Sequence, residues 1–161
     1  MREPVAAFVG IGANLGEAQR TVQEAIAALG RIRETQLVRA SRLYGSAPVD
    51  AGGPDFFNAV AQVDTRLSAP ELLSALQAIE DAAGRERPYR NAPRTLDLDL
   101  LLFGEARMDS PALTIPHPRM RERAFVLLPL RELAPGRVHA DDLAAVAQQR
   151  IAPLPPASSP A

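Results

Sequence analysis

The chain of 161 residues contains no cysteine, and all 18 of its basic residues are arginine. Without cysteine, disulfides, thiolate metal sites and cysteine nucleophiles are excluded. Without lysine, a Schiff base and the lysine of a P-loop are excluded as well. With only His117 and His139, a histidine-rich zinc site is not expected. Any phosphate chemistry must therefore rest on arginine, backbone amides and metal ions.

Charge and hydropathy narrow the class further. A net charge of −1 gives no support for general nucleic-acid affinity. The chain also lacks a basic amino-terminal stretch followed by an apolar one, and no apolar run approaches the roughly 18 residues of a membrane span. No coiled-coil pattern is present. We therefore expect a cytoplasmic protein, a monomer, with neither nucleic acid nor membrane as a partner.

The length and an apolar content of 47% fit one globular domain. We expect this domain to cover residues 1–152, with a disordered proline-rich tail over residues 153–161. Hydrophobic spacing predicts the order β-α-β-β-α-β, which is the split βαβ arrangement. The expected fold is α+β, with a ferredoxin-like βαββαβ core whose antiparallel sheet is flanked by helices. Strands are predicted over 5–11, 36–44, 57–65, 96–102 and 123–130, and helices over 17–29, from Ser68 to Ala83, and after Asp141 or Asp142.

The most informative stretch of the chain is Leu-Asp-Leu-Asp-Leu at positions 96–100. Side chains alternate along a strand, so Asp97 and Asp99 share one face, with backbones roughly 6–7 Å apart. That spacing alone favours an ordinary amphipathic strand with one solvent-exposed polar face. Arg94, just before the pair, shifts the balance toward a site that binds a metal and a phosphate oxyanion.

Four further segments carry candidate chemistry. The glycines at 10, 12 and 16 do not match the dinucleotide fingerprint, but such a turn lets backbone amides approach a ligand. Phe56 beside Asn58 offers a stacking ring and an amide that can read a heterocycle edge. Prolines flank His117, and Arg119, Arg121 and Arg123 follow it, which fits a phosphate contact. The arginines at 85, 87, 90 and 94 form either a solvated charge run or a loop that closes over a polyphosphate.

Taken together, these segments resemble the 6-hydroxymethyl-7,8-dihydropterin pyrophosphokinase family. The resemblance extends from about Ala7 to Pro135, and its most specific part is the run that contains Asp97 and Asp99. The matching stretches are Gly-Ala-Asn-Leu-Gly at 12–16, Tyr44 with Pro48, Pro-Asp-Phe-Phe-Asn at 54–58, Leu-x-x-Ile-Glu at 76–80, Gly84-Arg85, Pro-Arg-Thr-Leu-Asp-Leu-Asp at 93–99 and Pro-His-Pro-Arg-Met at 116–120.

The resemblance implies transfer of pyrophosphate from MgATP to the dihydropterin hydroxymethyl group, with release of AMP, in tetrahydrofolate biosynthesis. It implies two Mg²⁺ ions on Asp97 and Asp99, with Asp97 also orienting the pterin hydroxyl. Arg85 and Arg94 would neutralise the transferring group. The pterin would contact Ser46, Ala47, Val49, Phe56, Asn58, Asp97 and Phe125. ATP would contact Gln77, Glu80, Arg87, Thr114, His117 and Arg123, with Glu80 also holding the arginines.

Two positions depart from the family pattern. Many members carry a tryptophan in the mobile loop where this chain has Asn91, so either Tyr89 covers the pterin or the loop closes less tightly. Some members have a tyrosine after the histidine, where this chain has Pro118. Two other classes of protein stay open from the residues: a non-catalytic module that binds a nucleotide or pterin, and an RNA-recognition module, which calls for a basic surface.

Overall fold

The fold is taken from a computed structural model that describes residues 3–14, 17–46, 56–83 and 96–154. The strands are β1 (Val5–Ala13), β2 (Thr35–Ala40), β3 (Tyr44–Ser46), β4 (Phe56–Thr65), β5 (Asp97–Phe103), β6 (Met108–Asp109), β7 (Thr114–Ile115) and β8 (Ile151–Pro153). The helices are α1 (Ala18–Leu29), α2 (Ala69–Ala83), α3 (Ala124–Leu133) and α4 (Ala140–Ala145), and short 3₁₀ helices cover Met120–Glu122 and Pro135–Arg137.

The main sheet has the order β5-β1-β4, with β2 and β3 both paired to β4 and β8 paired to β3. Every pair in it is antiparallel. The first strand of each βαβ unit is thus separated from the last by a strand of the other unit, which confirms the predicted ferredoxin-like core. The second, small sheet is the β6-β7 hairpin.

The prediction of a single strand over 36–44 is wrong, because this segment contributes to two separate strands, β2 and β3. Between β2 and β3, Ser41 takes over part of the pairing to β4: its N–H donates to the Val60 carbonyl at 2.8 Å, and its hydroxyl accepts the Val60 N–H at 3.0 Å. A side chain that occupies a ladder position in this way interrupts the strand while leaving the backbone groups of β4 satisfied.

Helices α1 and α2 cover one face of the sheet, as predicted. Alternate residues of β1 and β5, such as Val9 and Leu100, are buried against Val22 of α1 and Leu72 of α2. Ser68 and Glu71 begin α2 as a capping box: the Ser68 N–H donates to Glu71 Oε1 at 2.8 Å, and the Glu71 N–H donates to Ser68 Oγ at 3.2 Å. The Ser68 N–H first, and then the Ser68 hydroxyl and the Arg33 guanidinium, stabilise the Glu71 carboxylate and lower the pKa of Glu71 to about 2.

The opposite face of the sheet is covered by α3, where the sequence predicted a strand over 123–130. Val126 and Leu130 pack with Phe8 and Val60 of the sheet. The prediction is wrong because the buried positions of this segment recur with helical spacing, at i and i+4, rather than at every second residue. Phe125 therefore lies in the first turn of a helix and not on a strand.

The carboxyl-terminal segment corrects two further expectations. His139 precedes α4, so Asp141 and Asp142 lie in its first turn rather than at its N-cap position. The domain boundary predicted after residue 152 falls inside β8, since Pro153 pairs with Tyr44. The Leu154 N–H then donates to the Leu43 carbonyl at 2.8 Å, so the domain extends at least to residue 154. Across the described ranges, no helix has the length and apolar character needed to cross a membrane.

Candidate active site

The predicted carboxylate pair lies at the start of β5, on the sheet face that α3 covers in part. Asp97 is opposite Gly12 of β1, and Asp99 is opposite Gly10. Leu98, between them, points to the other face and is buried in the core with α1 and α2. Asp97 is exposed and Asp99 is partly exposed. The alternation read from the sequence is therefore confirmed, with both carboxylates on one face.

The glycines of β1 leave space in front of these carboxylates. A Cβ atom added at Gly12 would lie 3.0 Å from Asn58 Oδ1, which is tighter than nine in ten real Cβ contacts, so the Asn58 amide would have to shift. At Gly10, an added Cβ would meet the Leu101 side chain at 3.4 Å. The signal visible in the sequence was the Gly-x-Gly spacing on a strand, which places both positions on one face.

A cavity of about 660 Å³ opens on this face of the sheet. It brings together six of the predicted site residues: Phe56, Asn58, Asp97, Asp99, Arg123 and Phe125. It is also lined by residues that sequence reasoning did not assign to a site, namely Glu122, Val126, Gln149, Arg150 and Ile151. The last three come from a segment that is distant in sequence, and no local pattern in the chain indicated that they would reach the pocket.

The inner side of the cavity suits a flat heterocycle. Asn58 is buried, with a relative exposure of 3%, and its amide offers both donors and an acceptor. Phe56 enters from the start of β4, and Phe125 from the first turn of α3. Rings and a buried amide around one cavity are typical of sites that stack a planar ligand and read its edge.

The outer side of the cavity is charged. The Arg123 guanidinium nitrogen Nη1 lies 3.9 Å from Asp99 Oδ2, and the same guanidinium lies 5.4 Å from the centre of the Phe125 ring. This cation–π contact keeps the arginine between the aromatic and acidic parts of the site. Arg119, also at the cavity, adds positive charge beside the carboxylates.

His117 faces Asp99 from the other side, with Nε2 3.9 Å from Oδ1. The ring nitrogen Nδ1 accepts the backbone N–H of Arg119 at 3.2 Å, and the backbone N–H of His117 donates to the Leu101 carbonyl at 3.0 Å. With Nδ1 accepting, the proton of the neutral ring lies on Nε2 and points toward the acidic side of the site. Burial lowers the pKa of His117, an effect that Asp99 opposes.

Thr114 and His117 line a smaller cavity of about 220 Å³, to which Asp99 also contributes. Glu80 Oε2 accepts the Leu98 N–H at 2.7 Å, so α2 holds the backbone between the two carboxylates. Gln77 lies one turn earlier in α2 with its side chain exposed. Asp99 is thus the residue common to the pocket of the two phenylalanines and the cleft of Thr114 and His117.

Several predicted site residues lie outside the described residues. These are Ala47, Val49, Arg85, Arg87 and Arg94, together with Tyr89 and Asn91. For Ser46 the backbone alone is described: it pairs with Phe56 on one side and with Ile151 on the other. This pairing places β3 directly beside the strand that carries Phe56.

The donor set fits Mg²⁺ bound together with a phosphate ligand. Within the described residues, no group of three or more His, Asp or Glu side chains is placed to hold a metal ion. Mg²⁺ usually takes one or two carboxylates and completes its shell with water and substrate phosphates. Asp97 and Asp99, on one face above two glycines, provide these two carboxylates and the space beside them.

The fold and the site together define a class: an α+β enzyme whose carboxylate pair and arginines suit phosphoryl-type transfer onto a ligand held by aromatic rings. Residues 8–135 match the family model for 7,8-dihydro-6-hydroxymethylpterin-pyrophosphokinase. The chain belongs to this family.

Comparison with known proteins supports this assignment. A 2-amino-4-hydroxy-6-hydroxymethyldihydropteridine pyrophosphokinase of Pseudomonas aeruginosa is 48% identical over 155 residues, covering 92% of this chain and 96% of that protein. One from Synechocystis is 43% identical over 132 residues, covering 82% of this chain and 68% of that protein. A solved structure of HPPK-DHPS in complex with substrates has a TM-score of 0.66. It is 14% identical, covers 86% of this chain and 41% of that chain, and supports the fold alone.

The resemblance inferred from the sequence is therefore confirmed. The chain is an enzyme, a pyrophosphokinase that acts on 6-hydroxymethyl-7,8-dihydropterin in folate biosynthesis. This result decides against the two classes without catalytic activity, the binding module and the RNA-recognition module.

Proposed function

We propose that the cavity transfers the diphosphate group of ATP to the hydroxymethyl oxygen of the dihydropterin, giving AMP and the dihydropterin diphosphate. The observation that carries the proposal is the composition of a single cavity. Asp97 and Asp99 line it together with Asn58, Phe56 and Phe125. A site for a planar ring thus adjoins a site for metal and phosphate, which this reaction requires.

The pterin half of the site consists of Phe56, Phe125 and Asn58. Offset stacking of the pterin between two phenylalanines is a favourable geometry for aromatic rings. The buried Asn58 amide pairs with the donor and acceptor groups at the ring edge, and this selects the heterocycle, because an unmatched buried amide would cost binding free energy. We also assign Ser46, Ala47 and Val49 to this half, by their match to the family.

The metal half consists of Asp97 and Asp99, to which we assign two Mg²⁺ ions. When bound, Mg²⁺ neutralises phosphate charge and holds the transferring phosphates in place. The protein's own contribution is the spacing of the carboxylates on one strand face, with Gly10 and Gly12 opposite them. Asp97, the more exposed of the two, also accepts a hydrogen bond from the pterin hydroxyl and so orients it.

ATP occupies the region around Asp99, where the two cavities meet. His117 and Arg123 approach Asp99 from either side, at 3.9 Å each, and both carry N–H donors that can turn to phosphate oxygens. We assign Gln77, Glu80, Arg87 and Thr114 to ATP as well. Arg85 and Arg94 neutralise the group in transfer, and Glu80 holds the arginines in addition to its bond to Leu98.

The reaction needs no covalent intermediate with the protein. The hydroxymethyl oxygen forms a bond to the β-phosphorus of ATP, and the bond from that phosphorus to the oxygen bridging to the α-phosphate breaks. AMP leaves with the bridging oxygen, and the hydroxyl proton is released. Catalysis then rests on positioning, to which Asp97 contributes, and on stabilisation of charge by Arg85, Arg94 and Arg123.

The test is an assay for AMP formation from ATP and Mg²⁺, with and without the dihydropterin. We expect AMP only when the dihydropterin is present, in equal amount with the dihydropterin diphosphate. AMP formation that does not depend on the dihydropterin would contradict the proposal. Dihydropterin binding without any AMP would contradict it too, and would indicate a pterin-binding module instead.

We also infer that the domain acts as a monomer in the cytoplasm, where ATP is available. In support, the sequence contains no coiled-coil pattern. Light scattering of the purified protein tests the monomer, and a stable dimer would contradict it.

A further inference from the structure

Gln149 makes two hydrogen bonds at the junction from which the Arg123 and Phe125 side chains arise. Its Oε1 accepts the Ala124 N–H at 2.9 Å, and its Nε2 donates to the Glu122 carbonyl at 2.8 Å. The amide thereby bridges the backbone on both sides of Arg123. Gln149 lies beyond residues 8–135, the part of the chain that matches the family model.

Local hydrogen bonds hold the Arg123 backbone, since its N–H donates to the Met120 carbonyl at 3.3 Å and its carbonyl accepts the Leu127 N–H at 3.0 Å, but they leave the Ala124 N–H to Gln149. Arg123 is extended, with φ −124° and ψ 109°, between the 3₁₀ helix Met120–Glu122 and α3. It serves as the N-cap residue of α3, but its side chain makes no capping hydrogen bond. The Ala124 N–H is one of the groups that a helix start leaves without an intrahelical partner. The side chain of Gln149, 25 positions later in the chain, accepts the hydrogen bond of this N–H.

The junction also sets the geometry of the site. From it, the Arg123 side chain reaches to 3.9 Å from Asp99, and Phe125 lines the same cavity one position into the helix. A change of backbone angles at Arg123 would move both side chains relative to β5. The amide of Gln149 opposes such a change because it holds the residues before and after Arg123 at the same time.

The position of Gln149 is itself secured on both sides. The Gln149 N–H donates to the Val146 carbonyl at 3.0 Å, which closes the turn after α4. Two residues later, Ile151 pairs with Ser46 of β3 and lines the cavity. The carboxyl-terminal segment therefore connects the start of α3 to the strand next to Phe56 and lines the cavity between them.

We propose that Gln149 is a positioning residue of this active site: through its hydrogen bonds to Glu122 and Ala124 it holds Arg123 and Phe125 in the orientation that binds ATP and the pterin. This role rests on the function proposed above. Gln149 touches the backbone rather than the reacting atoms, so its loss weakens binding of both substrates more than it slows the chemical step.

Three variants test the proposal. Gln149→Met keeps the shape of the side chain and removes both hydrogen bonds, whereas Gln149→Glu keeps an acceptor for the Ala124 N–H and loses the donor to Glu122. Gln148→Ala is the matched control, an exposed glutamine one position earlier. We expect the KM values for ATP and the dihydropterin to rise about tenfold in Gln149→Met and less in Gln149→Glu, with kcat changed about twofold or less. The control keeps the wild-type values.

A second measurement separates positioning from stability. Hydrogen exchange of the Ala124 amide reports the bond directly, and we expect faster exchange in Gln149→Met but not in Gln148→Ala. Wild-type KM values in Gln149→Met would overturn the proposal, as would a fall in melting temperature with both KM values unchanged. If the wild-type protein formed no AMP, the proposed function would fail; Gln149 would then be judged by dihydropterin binding, where equal affinity of wild type and Gln149→Met would refute it.

Discussion

At the scale of single residues, the site depends on two glycines, which have no side chain, as well as on its acidic and aromatic residues. Gly10 and Gly12 lie opposite Asp99 and Asp97 on the adjacent strand. Strands disfavour glycine, so two on one face of a buried strand call for a reason. The reason here is the cavity, since a Cβ at position 12 would lie 3.0 Å from Asn58 Oδ1. The glycines thus maintain both the position of Asn58 and the space in front of the carboxylates.

Gly12→Ala tests this role. We expect it to displace the Asn58 amide and to weaken dihydropterin binding roughly tenfold, because overpacking a filled site costs about 1–3 kcal/mol. Titration of the intrinsic fluorescence of the dihydropterin measures the affinity. Gly136→Ala is the matched control, since an added Cβ there meets nothing within 4 Å. Unchanged affinity in Gly12→Ala would show that Asn58 does not read the pterin.

At the scale of elements, helices and strands were predicted best where a single hydrophobic periodicity continued without interruption. The helix after Ser68 and the strand with Asp97 and Asp99 have clear spacing and caps, and both are present. The prediction failed for α3, whose apolar run fits a strand or a helix when read without its packing partners. It also failed at Ser41, where a side chain replaces a backbone pairing, which no hydrophobic pattern records.

A side-chain contact joins β3 to α3, the helix whose first turn lines the cavity. The buried Tyr44 hydroxyl of β3 donates to Glu132 Oε2 of α3, while Glu132 Oε1 accepts the Arg42 N–H at 3.1 Å. Burial and the contact with Glu132 raise the pKa of Tyr44 from 10.0 to about 12. The folded protein thus holds this proton more tightly than the unfolded chain.

The pH dependence of stability follows from that shift. The stability that Tyr44 contributes is fully present below pH 10.0, and it is lost as the pH rises through about 12. Ultraviolet titration in a Tyr89→Phe background, where Tyr44 is the remaining tyrosine, measures its pKa. We expect Glu132→Gln to lower that pKa while leaving it above 10.0, since burial is the larger cause. An ordinary pKa for Tyr44 in the unsubstituted background would contradict the contact.

At the scale of the whole molecule, the fold could be predicted from the sequence, but the contacts that bring the carboxyl-terminal segment to the pocket could not. The order β-α-β-β-α-β and the carboxylate strand follow from local patterns. The approach of Gln149 and Ile151 to residues of α3 and β3 is a long-range contact, made by a segment in which the sequence predicted no site residue. The proline-rich composition likewise suggested a boundary after residue 152, although β8 continues through Pro153.

Truncation tests where the functional domain ends. Deletion of residues 155–161 leaves β8 and Gln149 in place, so we expect wild-type KM values. Deletion of residues 149–161 removes the bridge to Ala124 and the strand beside Ser46, and we expect both KM values to rise by tenfold or more. Steady-state kinetics of the two proteins measure this difference. Equal kinetics in both would show that the carboxyl-terminal segment has no part in the site.

The central claim is that Asp97 and Asp99 form the metal and phosphate part of a pyrophosphokinase site. The most direct measurement is dihydropterin-dependent AMP release by Asp97→Ala and Asp99→Ala, compared with Asp64→Asn. Asp64 is an acidic residue near the opposite end of β4 from Asn58. We expect the first two variants to remain folded and to lose activity by on the order of a hundredfold to a thousandfold, while Asp64→Asn retains it. Full AMP release by folded Asp97→Ala would contradict the account.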